Sequence, residues 1–385
     1  MDFAWSDAAR AIRSEAVTFL DEHLGDELAD AIYRNGVSHD AGFVAALARK
    51  GWIAPEREVG IGATLDGETV HALTEELTKA ESPTYALDTT LMVAGVVQAV
   101  GSPDLIETIV PAALRGEITV ALGMSEPECG SDVAAVRTRA RRDGDEWIID
   151  GQKMFTTNGH VTDFVFLLAR TNPDVPSHKG LTTFLVPLDQ PGIEAQAVYT
   201  LSGERTNITY YNDVHLHDRW RIGEVDGGWD ALMLSLQVEH SYGFSPHLAR
   251  LLEETEAWAM ESVPGGGRRA VDDVEVQERL ARCATDLEVA QLLEQRVTWL
   301  EGNGRVPVGE GPMAKLFGTE ALARQAEHLT ELVGPDALRS RLDPTALRHG
   351  RIEHALRFSL GPTIYAGTSE IQRNIIAQRV CGLPR

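Results

Sequence analysis

The hydrophobic period of this chain changes twice, and a chain whose repeat is helical, then alternating, then helical again cannot fold as one uniform layer. From Ser6 to about Leu114 apolar residues recur at helical spacing, with Ala8, Ile12, Ala16 and Leu20 four apart and Thr69–Ala80 dense in helix formers. Past Gly116, the runs Glu146–Gly151, Phe164–Leu168 and Thr182–Pro187 are β-branched or aromatic and bounded by Gly, Asp, Asn and Pro, which predicts strands. After Gly227 the helical period returns over Asp230–Glu261, Val274–Leu300, Met313–Val333 and Pro344–Phe358. The order α, β, α predicts an α+β protein divided at residues 1–115, 116–226 and 227–385.

Composition narrows the function classes. With 385 residues, 43% of them hydrophobic, the chain can bury a large core in two or three regions. Against 35 basic residues stand 58 acidic ones, a formal charge of -23, which opposes nucleic acid and anionic membrane as partners. The start Met1–Asp7 has neither the basic start nor the apolar run of a signal peptide, and stretches such as Leu91–Val100 are too short for a membrane span. Cys129, Cys283 and Cys381 are odd in number and far apart, giving neither a disulfide framework nor a metal motif, so a reduced cytoplasm is expected. His215 and His217 would share one strand face, but without an acidic or cysteine pair beside them they predict no metal site. Val263–Arg269 is glycine-rich, yet no strand precedes it and no P-loop lysine follows, so it predicts a loop between helices.

Two local patterns carry chemistry. Ser369 and Gln372 make a Ser-x-x-Gln capping box, which predicts that Ala366-Gly367-Thr368 is a loop just before a helix N-terminus. Such an end suits a cofactor phosphate or polar edge. The second pattern is Ala121-Leu122-Gly123-Met124-Ser125-Glu126-Pro127-Glu128-Cys129-Gly130-Ser131-Asp132, followed by Asp150-Gly151-Gln152-Lys153-Met154-Phe155-Thr156-Thr157-Asn158-Gly159. In isolation Phe155 reads as core and Ser125 as a turn or cap residue. Together with Ile364–Arg373 and the tail Asn374–Arg385, these segments resemble the acyl-CoA dehydrogenase family, in its actinobacterial type, over nearly the whole chain.

The resemblance implies an N-terminal helical domain, a middle β-barrel and a C-terminal four-helix bundle around FAD and an acyl-CoA thioester. It assigns Ser125 and the Leu122–Met124 backbone to the flavin's pyrimidine edge, Thr157 to the neighbourhood of N5 and Phe155 to the ring's flank. Gly130 and Ser131 fall at the pyrophosphate and Thr368 and Glu370 at FAD, with Tyr365, Ala366, Gly367 and His240 on the substrate side. Hydroxyl and backbone N–H donors around a flavin stabilise its reduced form.

Ala366 occupies the position where many relatives carry the catalytic glutamate, and an alanine cannot remove a proton. Other members place the glutamate on the first long helix of the C-terminal domain. Leu236-Gln237-Val238-Glu239-His240 aligns with their Leu-x-x-Glu-Arg, which makes Glu239 the candidate base. Spacing adds an argument, because Trp229, Leu232, Leu236, Glu239 and Gly243 would share one helix face and put a carboxylate on an apolar stripe. Burial there would raise its pKa, as suits a base for a carbon acid. Rotating the helix by one residue leaves Glu239 solvated instead, a reading that Met233, Gln237 and His240 favour.

The chain departs from the family pattern at His240, Cys129 and Gln378. It also has no Arg-x-x-Phe-Gly segment within Thr255–Ala270, and Glu331–Leu338 replaces Gln-x-x-Gly-Gly-x-Gly. In homotetrameric relatives those two elements reach a neighbouring subunit's FAD adenosine. The expected activity is α,β-dehydrogenation of an acyl thioester, with electrons passing to an electron-transfer flavoprotein, in a homotetramer or an α2β2 heterotetramer. Two alternatives stand beside it: a non-catalytic partner subunit, and a flavin oxidase or monooxygenase on the same fold.

Overall fold

The computed structural model describes residues 4–54, 65–239, 243–261 and 267–384, the side chains of 236–239 excepted. The chain forms two compact units, one of Asn35–Thr64 and Pro83–Glu239, the other of Met1–Arg34, Leu65–Ser82 and His240–Arg385. Helical and sheet regions follow one another in the α+β order that the periodicity predicts.

In the first unit α3 (Ala41–Lys50), α5 (Tyr85–Val100) and α6 (Pro103–Leu114) precede an eight-stranded sheet, and α7 (Gly228–Glu239) follows it. The strands are β1 (Val120–Gly123), β2 (Arg139–Asp143), β3 (Glu146–Lys153), β4 (Phe164–Arg170), β5 (Leu181–Pro187), β6 (Ile193–Tyr199), β7 (Arg205–His217) and β8 (Arg221–Ile222). Their order is β6-β7-β3-β2-β4-β5-β8, with β1 branching from β4 in parallel. Strand alternation sorts the side chains onto two faces. Trp147, Ile149, Val165, Leu167, Phe184, Val214 and Leu216 pack together on one face. Phe166, Leu185 and Ile222 pack against Met92, Val93, Val97, Leu105 and Ile109 of α5 and α6 on the other. From α7, Leu232 is buried against Cys129, Leu168 and Leu181, so the stripe that Trp229 and Leu232 begin faces inward at Leu232. His215 and His217 are both exposed on β7, where His215 meets Glu146.

The second unit holds α1 (Asp7–His23), most of α2 (Asp26–Asn35), α4 (Gly67–Lys79), α8 (Ser245–Met260), α9 (Val274–Gly302), α10 (Glu310–Val333), α11 (Arg351–Phe358) and α12 (Ser369–Arg379). Leu248, Leu251, Leu280, Cys283, Leu322, Leu329 and Ile352 join α8 to α11 in one core. Each large apolar side chain buried there contributes roughly 1.5–3 kcal/mol. The inward stripe of α1 starts at Ala9, not at Ala8, which is exposed. None of the described helices is long and apolar enough to cross a membrane.

Two helices differ from the sequence reading, each for a non-local reason. Asp230–Glu261 is not one helix: α7 ends at Glu239 and α8 starts at Ser245. The start of α8 is set by Glu294 of α9, whose carboxylate accepts the N–H groups of Phe244 at 2.8 Å and Ser245 at 3.0 Å and the Ser245 hydroxyl at 2.5 Å. This is an N-cap supplied from a distant helix. A Cβ at Gly243 would collide with that carboxylate. Pro344–Phe358 becomes helical only at Arg351, because Arg348 and His349 take left-handed backbone. Glu254 of α8 draws in Arg348 at 2.8 Å and Arg351 at 2.5 Å, and Gly350 lies against the Arg341 backbone too closely for a side chain.

Glu294 also meets α4. Ligand atoms of His71, Glu75 and Glu294 lie within 4.8 Å of one another, and Arg13 of α1 pairs with both Glu75 and Glu76. Burial pushes the Glu294 carboxyl up to about 7, against the pull of its three donors. Burial likewise takes His71 down to about 4, helped by Arg13. The cluster carries its own counter-charge.

Candidate active site

The turn after β1 is built around a buried ion pair. Lys153, the inward-facing last residue of β3, is fully buried, with Nζ 2.8 Å from Glu126 Oε1 and 3.1 Å from the Met124 carbonyl. Glu126 accepts the N–H groups of Arg137 at 2.6 Å and Thr138 at 2.9 Å. Burial pushes the Glu126 carboxyl up, but Lys153 and those two donors outweigh it and hold the group below the usual carboxylate range. Burial pulls the Lys153 ammonium down, against the opposing attraction of Glu126. The N–H of Met154 reaches the Ser125 carbonyl at 2.8 Å, so the Met124-Ser125-Glu126 turn is tied to the end of β3 at several points. Leu122 and Met124 pack their half-buried side chains against the α5–α6 core.

Beyond β3 the chain turns sharply at Phe155 and Asn158, both at positive φ. The Phe155 ring is 58% exposed, which corrects the core role that the residue has in isolation. Asn207 holds this turn by donating to the Thr156 carbonyl at 2.9 Å while its own carbonyl accepts the Thr156 N–H at 2.9 Å. Thr157 donates to the Thr206 hydroxyl at 3.3 Å. Asn158 is 1% exposed, and neither its amide nitrogen nor its amide oxygen has a hydrogen-bond partner among the described residues. Gly130 and Ser131 are exposed, with open space around Gly130.

The second unit holds the other candidates on one loop. Thr368, not Ser369, caps α12: its side chain accepts from the Ile371 N–H, one residue earlier than the Ser-x-x-Gln pattern places the cap. Gln372 turns back to the loop carbonyls, donating to Ala366 at 3.0 Å and Gly367 at 3.3 Å. The Ser369 hydroxyl and Gln372 Oε1 are buried without a partner among the described residues. Lys315 of α10, 3% exposed, donates to the carbonyls of Pro362 at 2.8 Å, Tyr365 at 2.9 Å and Gly367 at 2.6 Å. Ala366 and Gly367 are both left-handed, at φ 54 and φ 81. Tyr365 is 44% exposed, and the Glu370 carboxyl is held down by its own N–H and by Thr368.

Met124, Ser125, Phe155 and Thr157 thus come together in the first unit, and Tyr365 to Glu370 in the second. Glu239 closes α7, but its side chain, like the whole of His240, lies outside the described residues. Sequence reasoning missed Lys153, Glu126, Lys315 and Glu294. Parity was a usable signal for Lys153, which shares the inward face of β3 with Trp147 and Ile149. Helical spacing was one for Lys315, which lies on the buried α10 stripe with Thr319, Leu322 and Leu329.

Models of the acyl-CoA dehydrogenase N-terminal, middle and C-terminal domains match residues 6–117, 121–216 and 226–381. The chain belongs to the acyl-CoA dehydrogenase family. Acyl-CoA dehydrogenase FadE26 of Mycobacterium tuberculosis is 33% identical over 353 residues, covering 89% of this chain and 87% of that protein. Among solved structures, the ChsE4-ChsE5 complex from Mycobacterium tuberculosis aligns over 100% of both chains with a TM-score of 0.90 and 30% identity. The Tcur3481-Tcur3483 steroid ACAD aligns over 100% of both with a TM-score of 0.91 and 28% identity. The protein is therefore an oxidoreductase of the acyl-CoA dehydrogenase class, a family that is in general FAD-dependent.

Proposed function

We propose that this acyl-CoA dehydrogenase binds FAD and converts an acyl-CoA to its 2-enoyl thioester, with Glu239 removing the α-proton. The observation that supports the reading is the loop at Ala366, which has a built backbone but no acid of its own, so that the base is assigned to Glu239 through the likeness of Leu236–His240 to members that carry their glutamate there. FAD, when bound, supplies the hydride acceptor for the β-hydrogen. The residues present fit such a group: an exposed aromatic ring at Phe155 lies on the same turn as Thr157 and Asn158, whose buried amide has no partner among the described residues, and Ser125 is tied to the start of that turn through Met154. Ser125 and the Met124 backbone would hold its polar rim, with Gly130 and Ser131 toward its phosphates. On the loop, Thr368 and Glu370 would meet FAD. Tyr365, Ala366, Gly367 and His240 would line the thioester, the N–H groups of Ala366 and Gly367 polarising its carbonyl and so acidifying the α-carbon. A base and a hydride acceptor on neighbouring carbons make the elimination concerted in position.

The test is Glu239→Gln, read by anaerobic titration with acyl-CoAs that include a steroid-type member. Expected is a protein that keeps its flavin but no longer bleaches; undiminished bleaching defeats the assignment. A second reading is favoured by the ChsE4-ChsE5 likeness and by the missing Arg-x-x-Phe-Gly and Gln-x-x-Gly-Gly-x-Gly segments. In it the chain completes its FAD site with a paired chain as an α2β2 heterotetramer and passes electrons to an electron-transfer flavoprotein. Flavin retained by the chain alone would remove that requirement.

A further inference from the structure

Three successive peptide units, joining Tyr365, Ala366, Gly367 and Thr368, have every carbonyl captured from one side. The Tyr365 carbonyl accepts from Lys315 at 2.9 Å, that of Ala366 from Gln372 at 3.0 Å, and that of Gly367 from Lys315 at 2.6 Å and Gln372 at 3.3 Å. The peptide bonds are trans, so the N–H of each unit points opposite to its carbonyl. The N–H groups of Ala366, Gly367 and Thr368 therefore face away from Lys315 and Gln372. No hydrogen-bond acceptor meets them among the described residues. Consecutive left-handed residues make this a concave row of donors suited to an oxygen carrying negative charge. A left-handed alanine is costly on its own, so something must hold it.

We infer that Lys315 is a positioning residue for this donor row, with Gln372 as its second anchor. The ammonium is buried behind the loop, collects the carbonyl ends of the peptide dipoles and turns their N–H ends outward. It fixes direction and adds a positive potential that the aligned peptides pass to the thioester oxygen. The inference rests on the reading of this loop as the thioester site.

The experiment uses 3,3-dimethylbutanoyl-CoA labelled with 13C at its carbonyl, which has α-hydrogens but no β-hydrogen and so cannot be oxidised. Two quantities are read on the holoenzyme: α-hydrogen exchange in D2O and the infrared stretch of the bound carbonyl. In Lys315→Met, exchange is expected to slow by about 100-fold, the loss typical of an oxyanion donor. The stretch should move toward its free value, while flavin content and circular dichroism stay as in the parent. Gln372→Leu should act in the same direction with a smaller effect. If the parent exchanges and both variants exchange equally fast at an unchanged stretch, the positioning role is wrong while the thioester reading stands. If the parent neither binds nor exchanges, the thioester reading fails, and the inference with it. If both variants fail to fold with flavin, Lys315 and Gln372 serve folding and the inference is overturned.

Discussion

Each unit buries a lysine behind a candidate ligand loop, and the two lysines are satisfied differently. Lys153 faces a carboxylate, Glu126, and one carbonyl, whereas Lys315 gathers the three carbonyls of Pro362, Tyr365 and Gly367. Removing one member of a buried ion pair strands a charge, while removing Lys315 takes the shared donor from the Pro362, Tyr365 and Gly367 carbonyls. The first arrangement therefore stakes stability on the lysine. The second stakes the orientation of a few peptides.

The largest expected effect separates them directly. Lys153→Met should cost about 3–5 kcal/mol, read from the urea midpoint, because Glu126 is left buried and charged. Adding Glu126→Gln should recover a substantial part, and a double variant no more stable than the single would break the comparison. Lys315→Met should cost less, about 1–3 kcal/mol. Equal losses would mean that the two anchors do the same work.

A smaller effect concerns pH in the second unit. The Glu294 carboxyl is raised, so the folded state binds its proton more tightly, and that stability is present below about pH 4.5 and lost as pH rises toward 7. His71 is lowered to about 4, so its contribution has the opposite sign: stability rises with pH from about 4 to its ordinary value near 6.5. The two oppose each other over pH 4.5 to 6.5, and Glu294→Gln should leave the rising His71 limb exposed, by on the order of 2–3 kcal/mol. Melting curves at pH 4.5 and 6.5 check the sign. The smallest effect is at Ala366, where glycine should stabilise by about 1 kcal/mol by relieving the left-handed alanine. A neutral result would show that Lys315 and Gln372 already absorb the strain.

What the sequence made legible was whatever depends on neighbours in the chain. Helical and alternating periods placed α9, α10, β4 and β5 to within a few residues, and the motif spacing brought Ser125 and Thr157 to adjoining turns. Illegible were features imposed from far away. The break between α7 and α8 depends on Glu294, 50 residues from Phe244, and the late start of α11 on Glu254, 94 residues from Arg348. The cap of α12 slipped by one residue because Gln372 turns to carbonyls instead of closing the box. A pattern of residue types shows which groups can bond. It does not say which of several partners each group chooses.

Gly243 gives that limit a form that can be sought in other chains. Because the Glu294 carboxylate fills the place where a side chain at 243 would stand, the two positions are not independent in descent. Relatives that keep the acid at 294 should keep glycine at 243, and those with a side chain at 243 should carry a smaller residue at 294. The chemistry of one helix start would then be recorded as a paired substitution between sites that look unrelated along the chain.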